Sequence, residues 1–172
     1  MPRLVLLLLP LLVMTCLPAA IAQGPAYQRG RTLSSEAVQA WDTAVGPEGK
    51  ELPPGRGTAR EGAQVWARRC SACHGMDGKY QWPRRAHPPS AGKAPLLAGE
   101  LGVVAKRQFA TTLWDYINRA MPLGEQAGTL TPSEVYAVTA YVLHLNGIIG
   151  EDDGMDANTL PQVPMPAGPR KN

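Results

Sequence analysis

The sequence predicts an all-α fold, and two helix-start signals and one helix-stop signal lead to that prediction. Residues 58–61, Thr-Ala-Arg-Glu, and residues 131–134, Thr-Pro-Ser-Glu, both match the capping box, in which the Thr and Glu side chains satisfy free backbone N–H groups at a helix start. Residues 110–120 form a third stretch with helical periodicity. Met121-Pro122 closes this stretch, since proline and the residue before it both disfavour helix. No confident β-strand pattern is present.

The first predicted helix begins after the capping box at residues 58–61. Apolar and small residues then recur at helical spacing, at Gly62, Val65, Trp66 and Cys70. This helix therefore delivers the chain directly into the cysteine motif that follows.

The last predicted helix begins with Pro132 at its first position, where the missing N–H of proline costs nothing. Its apolar residues form one stripe, at Val135, Val138, Val142 and Leu145. Asn146-Gly147 ends it. The middle helix, residues 110–120, is shorter and lies between the two.

Residues 70–74 read Cys-Ser-Ala-Cys-His. Two thiols three positions apart can add to the two vinyl groups of one haem, and the imidazole of the next residue can bind its iron. A thioredoxin-like redox pair would need a strand-helix-strand setting, and a structural zinc site would need four ligands at paired spacings, whereas only His87 and His144 remain as nitrogen donors elsewhere. The motif therefore predicts one covalently attached haem c, bound through Cys70 and Cys73, with His74 as an axial iron ligand.

Residues 1–22 have the pattern of a secretory signal peptide. A single early charge, Arg3, precedes an apolar run, and Ala20-Ile21-Ala22 is a small-x-small cleavage signal. The run is shorter than the roughly 20 apolar residues of a membrane span. We therefore expect export to the periplasm and no membrane span in the mature protein, with a retained anchor as the alternative.

The remaining chain suits one domain with extensions on both sides. Residues 23–57 form an N-terminal extension rich in proline and glycine, residues 58–147 form the haem-binding domain, and residues 148–172 form an extended C-terminal tail. The two flanks either pack on the haem domain and help to bind a partner or are disordered termini.

The charge distribution argues against nucleic acid as a partner and leaves an acidic partner open. A net charge of +3 and the lack of a basic run interleaved with aromatics argue against nucleic acid. Residues 62–109 contain eight Lys or Arg against two acidic residues. This bias is either an ordinary solvated surface or a means of steering an acidic partner.

The candidates for the sixth iron ligand are the thioethers of the six methionines. Two leave with the signal peptide, and Met76 is too close in sequence to His74 to reach the opposite haem face. Met155 and Met165 lie in the tail, where no predicted element holds them against the iron. Met121 remains as the axial ligand, and the alternative is a methionine that fills a gap in the core.

The order of these elements resembles the class I cytochrome c fold, in which three to five helices surround one covalent haem. The resemblance identifies residues 58–147 as a cytochrome c domain and places the distal ligand at Met121. It also implies that the first and last helices cross closely, with Gly62, Trp66 and Tyr141 at the crossing.

A second part of the resemblance is the Pro-x-Leu stretch after the haem motif, here Pro95-Leu96-Leu97. In the family the proline carbonyl accepts the second ring N–H of the ligating histidine, and the apolar side chains pack on the porphyrin. Pro95 and Leu97 are therefore expected to be haem-packing residues.

Five further segments resemble the cytochrome subunits of molybdenum-containing sulfite and sulfur dehydrogenases. They are Trp41-Asp42, residues 52–57, 110–122 and 130–148, and Met165-Pro166. This resemblance spans about residues 38–166. Two departures are that the dihaem members have a second cytochrome domain, whereas this sequence has no second Cys-x-x-Cys-His, and that the loop from Lys79 to Lys93 is expanded.

This resemblance implies an electron-transfer protein with no substrate chemistry of its own. The chain would accept electrons one at a time from a molybdenum-containing catalytic subunit and pass them to a downstream cytochrome or oxidase. Two alternatives stay open, a free soluble cytochrome c shuttle serving other periplasmic oxidoreductases and, more remotely, a haem enzyme or ligand sensor.

Overall fold

The computed structural model describes residues 32–79 and 95–169. In chain order the elements are helix α1 (Ser35–Trp41), strand β1 (Arg56–Thr58), helices α2 (Ala59–Arg69), α3 (Ser71–His74), α4 (Ala110–Ala120) and α5 (Pro132–Leu145), and strand β2 (Gly154–Asp156). Two 3-10 helices cover Val104–Lys106 and Leu160–Gln162. The chain divides after Asp42 into two compact units, and α1 belongs to the first.

Two sequence predictions concern residues that the structure does not describe. The signal peptide, residues 1–22, and all of the expanded loop after Lys79 lie outside the described residues. In the part that is described, no helix is both long enough and apolar enough to cross a membrane.

The three predicted helices are confirmed, and the fold is mostly helical as expected. At the start of α2 the backbone N–H of Thr58 donates to Oε2 of Glu61 at 2.7 Å, and the Glu61 N–H donates back to the Thr58 hydroxyl. Thr131 and Glu134 form the same reciprocal pair at the start of α5. Each capping box therefore fixes the first residue of a helix.

Helices α2 and α5 make the most extensive contact between elements. A Cβ atom on Gly62 would lie 2.5 Å from the carbonyl carbon of Ala137 and nearer still to its oxygen. One turn further along α2, the Trp66 ring lies 5.5 Å from that of Tyr141, centroid to centroid. Gly62, Trp66 and Tyr141 thus occupy the helix crossing, as expected from the resemblance to class I cytochromes c.

The second unit has one hydrophobic core, to which α2, α4 and α5 all contribute. Its largest fully buried side chains are Trp66, Trp114, Tyr136, Leu143 and Leu160. The Trp114 and Tyr136 rings lie 5.4 Å apart, so α4 packs on α5 through aromatic contact.

The expectation of no β-strand is wrong for two three-residue segments. Strands β1 and β2 pair antiparallel, with Gly57 opposite Met155. Three residues are too few to show an alternating pattern, and the partners lie about a hundred positions apart, so the sequence contains no local signal of the pairing. Helix α1 also went unpredicted, because seven residues inside an extension rich in proline and glycine give a weak periodic signal.

Residues 43–57 and 148–169 pack on the core and are not disordered termini. Their buried side chains belong to the same cluster as the helices, namely Val45, Leu52, Met155, Leu160 and Met165. On the surface, the Arg60 N–H donates to the carbonyl of Glu151 at 3.1 Å, and its Nε donates to Asp152 at 3.0 Å. The tail is thereby attached to the start of α2.

Because of the close contact at Gly62, we expect one added methyl group to lower the unfolding free energy strongly. Gly62→Ala forces α2 away from the Ala137 backbone, and we expect a loss of about 3 kcal/mol or more in unfolding free energy, at or above the usual range for overpacking. Gly154→Ala is the control, because nothing lies within 4 Å of a Cβ at that position. Urea denaturation measures both. Equal stability of the two variants would contradict the close approach.

Candidate functional site

The junction of α2 and α3 sets the geometry of the cysteine motif. Helix α2 ends at Arg69, yet the Cys70 N–H still donates to the Trp66 carbonyl at 2.9 Å. The N–H groups of Cys73 and His74 then both donate to the Cys70 carbonyl at 3.1 Å. One turn of chain therefore holds two thiols and an imidazole together.

Cys70 and Cys73 are both partly buried and form no disulfide. Burial raises the pKa of the Cys70 thiol to about 11, and it raises the pKa of Cys73 as well. At neutral pH both groups are therefore protonated thiols and not thiolates.

His74 is buried, with 8% of its surface exposed. Removal from water lowers its pKa, and the nearby carbonyl of Pro95 opposes that effect. A neutral imidazole has a free lone pair for a metal ion. The Pro95 carbonyl lies close enough to the ring to raise its pKa by hydrogen bonding, although its geometry falls short of a full hydrogen bond to Nδ1.

Two aromatic donors from the helix crossing hold the chain as it leaves His74. The indole Nε1 of Trp66 donates to the Gly75 carbonyl at 2.9 Å, and the Tyr141 hydroxyl donates to the Met76 carbonyl at 3.1 Å. Trp66 also lies 5.8 Å from the His74 ring, centroid to centroid. The crossing that stabilises the fold therefore also orients the candidate iron ligand.

The Pro95–Leu97 stretch is brought beside this turn from across the long loop. The Leu97 N–H donates to the Gly78 carbonyl at 2.9 Å, and the half-buried Leu97 side chain packs against the core. The amide of Asn146 donates to the Leu97 carbonyl at 3.3 Å and to that of Val142 at 2.8 Å. Asn146 is a residue that sequence reasoning used only as a helix end, and no sequence signal pointed to this second role.

Met121 lies at the C-terminal end of α4, where its N–H donates to the Ile117 carbonyl at 3.1 Å. Its side chain is half-buried and packs against the core. The expectation that no element holds Met155 and Met165 is wrong. Met155 lies in β2, Met165 lies in a turn closed by the Gly168 N–H, and both side chains are in the core. The assignment of Met121 to the iron therefore remains a prediction that must be tested against these two.

The residues fit a covalently bound haem. Cys70 and Cys73 lie outside any disulfide, and the neutral imidazole of His74 lies on the same turn. These are the three protein groups that attach and ligate haem c. Nδ1 lies beside the Pro95 carbonyl, which would orient the ring, and this leaves Nε2 as the nitrogen that would hold the iron.

Comparison with protein families decides the class. The family described as "Cytochrome C oxidase, cbb3-type, subunit III" matches residues 57–142, which is half of the chain. The chain belongs to this cytochrome c family. The cytochrome is therefore an electron-transfer protein that uses haem c, and the matched segment contains the cysteine motif, α4 and most of α5.

Two relatives connect the cytochrome with sulfur oxidation. It is 30% identical over 114 aligned residues to the thiosulfate dehydrogenase of Stutzerimonas stutzeri (strain A1501), and the match covers 59% of this chain and 35% of that protein. It also matches the crystal structure of the sulfane dehydrogenase SoxCD from Paracoccus pantotrophus with a TM-score of 0.65 and 31% identity, over 80% of this chain and 67% of that one. The cytochrome thus spans about a third of the curated relative and is related to sulfur dehydrogenases.

Trp66 and Trp114, which are both buried, give a matched test of the tether at Gly75. Trp66→Phe removes the hydrogen bond to Gly75, whereas Trp114→Phe removes an indole N–H that has no partner. Both residues are 1% exposed, so the loss of ring volume is comparable. We expect Trp66→Phe to lower the unfolding free energy by about 1 kcal/mol more than Trp114→Phe. Denaturant titration of both variants measures this difference, and equal losses would show that the tether contributes nothing.

Proposed function

We propose that this protein is a periplasmic monohaem c-type cytochrome that accepts electrons one at a time from a molybdenum-containing sulfite or sulfur dehydrogenase subunit. It passes them to another carrier, a downstream cytochrome or oxidase. When bound, haem c supplies the one-electron iron couple that this role requires. Cys70 and Cys73 would hold it covalently, and His74 and Met121 would ligate its iron from opposite sides.

The likeness to the sulfane dehydrogenase SoxCD supports the choice of partner. It covers 80% of this chain, whereas the cytochrome family match covers half of it. Part of the likeness therefore lies outside the haem-binding segment, in the flanks that a general electron shuttle would not need. Both flanks are anchored to the core by buried side chains, namely Val45, Leu52 and Leu160, so their exposed residues form a fixed part of the surface.

The ligand set supports electron transfer over catalysis at the iron. If His74 and Met121 ligate the iron as proposed, no position would remain for a substrate and Fe(II) would be favoured, because soft sulfur stabilises the reduced state. The buried carboxylate of Asp115 already accepts hydrogen bonds within the protein, so it is not poised for acid-base work.

The thiosulfate dehydrogenase relative favours a second candidate, a haem enzyme that oxidises thiosulfate without a molybdenum subunit. This candidate needs an iron position open to substrate. Carbon monoxide binding to the reduced protein at neutral pH is the discriminating observation, because an iron with two protein ligands does not take up carbon monoxide readily.

Reduction kinetics test the proposed partner. The oxidised, haem-loaded cytochrome is mixed with sulfite or with thiosulfate, with and without the molybdenum protein that co-purifies with it from the periplasm. We expect haem reduction only when the molybdenum protein is present, with two cytochromes reduced per sulfite oxidised, because sulfite loses two electrons and each cytochrome accepts one.

The control uses the same molybdenum protein loaded with tungsten, which should support no reduction. Equal reduction by sulfite without any partner would overturn the proposal, and turnover of thiosulfate by the cytochrome alone would establish the haem enzyme instead. Rapid reduction by several unrelated periplasmic donors would favour the free shuttle.

Met121→Ala tests the sixth ligand. We expect loss of the absorption band that arises from the iron-thioether bond in the oxidised protein and a lower reduction potential, because the thioether favours Fe(II). Met155→Leu and Met165→Leu are the controls, since both are buried methionines of the same unit and leucine nearly conserves their volume. If the band survives in Met121→Ala and disappears in one of the controls, the ligand is the methionine that this control replaces.

A further inference from the structure

Asp115 is the only buried acidic residue in the described parts of the chain. Its side chain is 11% exposed. A carboxylate away from water is stable only when it is hydrogen-bonded or paired, so its contacts must offset the loss of hydration. The electron-transfer role proposed above does not use this side chain.

The two oxygens of Asp115 join different parts of the protein. Oδ1 accepts the backbone N–H of Val45 at 3.2 Å, from a residue 70 positions earlier in the chain. Oδ2 accepts a hydrogen bond from the Arg119 guanidinium, one turn later on α4. The carboxylate therefore connects residues 43–52, a part of the N-terminal flank, to the second half of α4.

Residues 43–52 pack on α4 and on the tail in addition to this hydrogen bond. Val45 and Leu52 are both buried in the core. A Cβ atom on Gly49 would lie 2.7 Å from both the Leu52 side chain and Pro161, and 3.4 Å from the methyl group of Thr111 on α4. The segment therefore has little room to move when it is joined to α4 at Asp115.

Helix α4 ends at the proposed distal iron ligand. Met121 is its C-terminal capping residue, with its N–H bonded to the Ile117 carbonyl, and Arg119 lies two positions before it. The Asp115–Arg119 contact spans this last turn. Any tilt or fraying of the turn would move the Met121 backbone and, with it, the sulfur atom.

We propose that Asp115 is a positioning residue for the distal iron ligand. Held by Val45 on one oxygen and by Arg119 on the other, it fixes the last turn of α4 and so the place of Met121. The N-terminal segment 43–52 thereby influences the reduction potential of the cytochrome. The inference rests on the proposed assignment of Met121 to the iron.

The test uses the haem-loaded protein and two substitutions of the same residue. Asp115→Ala removes both contacts, whereas Asp115→Asn retains an oxygen for the Val45 N–H and loses only the charge facing Arg119. We expect Asp115→Ala to lose more than half of the iron-thioether band of the oxidised protein and to have a lower reduction potential. Asp115→Asn should retain most of the band.

Tyr136→Phe is the matched control. It removes a side-chain hydrogen bond to the same flank, from the Tyr136 hydroxyl to the Pro53 carbonyl at 2.9 Å, but the donor is on α5. This variant should unfold at lower denaturant concentration while the band and the potential stay unchanged. The comparison separates general loosening of the flank from an effect transmitted through α4.

Three results would overturn the inference. The first is an unchanged band and potential in a folded Asp115→Ala protein, and the second is an equal loss of the band in Tyr136→Phe. The third is an unchanged band in Met121→Ala, which would refute the ligand assignment itself and so is distinguishable from the other two. If Asp115→Ala does not fold, Arg119→Gln decides, because a normal band and potential in that variant would exclude positioning through the last turn.

Discussion

No side chain larger than hydrogen fits at residue 62, because the backbone of Ala137 already occupies the space where a Cβ would lie. Two helices can approach this closely only where one of them lacks a side chain, and the approach lets the larger residues beside it interlock. Trp66 and Tyr141 lie one turn further along, and their rings pack against each other at a tilt of 54°. Strand β1 uses the same device at Gly57, which also contacts Ala137, so α2 and its preceding strand rest together on α5. The position of α2 then determines where the cysteine motif begins.

The crossing and the candidate haem site share the same side chains. Trp66 and Tyr141 pack against each other in the crossing and use their polar atoms to hold Gly75 and Met76, the two residues after His74. An aromatic ring with one polar atom suits this task, since it can fill a core and still direct a hydrogen bond. Stability and ligand geometry are therefore coupled on the proximal side. A substitution at the crossing should affect both, even though no crossing residue is itself a predicted ligand.

The surroundings of Met121, the proposed second iron ligand, are built differently, because they depend on the flanks. Residues 43–52 meet α4 through Asp115, and the tail packs through Leu160 and Met155 into the same core. In a protein with a single phenylalanine, the flanks supply apolar area that the three main helices lack. They also give the surface a shape that a minimal cytochrome domain would not have.

Local signals made the helices and the attachment motif predictable from the sequence. The capping boxes at Thr58 and Thr131, the periodic stretch at residues 110–120 and the Cys-x-x-Cys-His motif each act within a few residues, so the sequence alone determined them. The pairing of β1 with β2 joins residues about 100 positions apart. The contact of Asp115 with Val45 joins residues 70 positions apart. Only the tertiary structure decided these features, because a buried hydrogen bond or a three-residue strand takes its partner from whatever the packing of the core brings within reach.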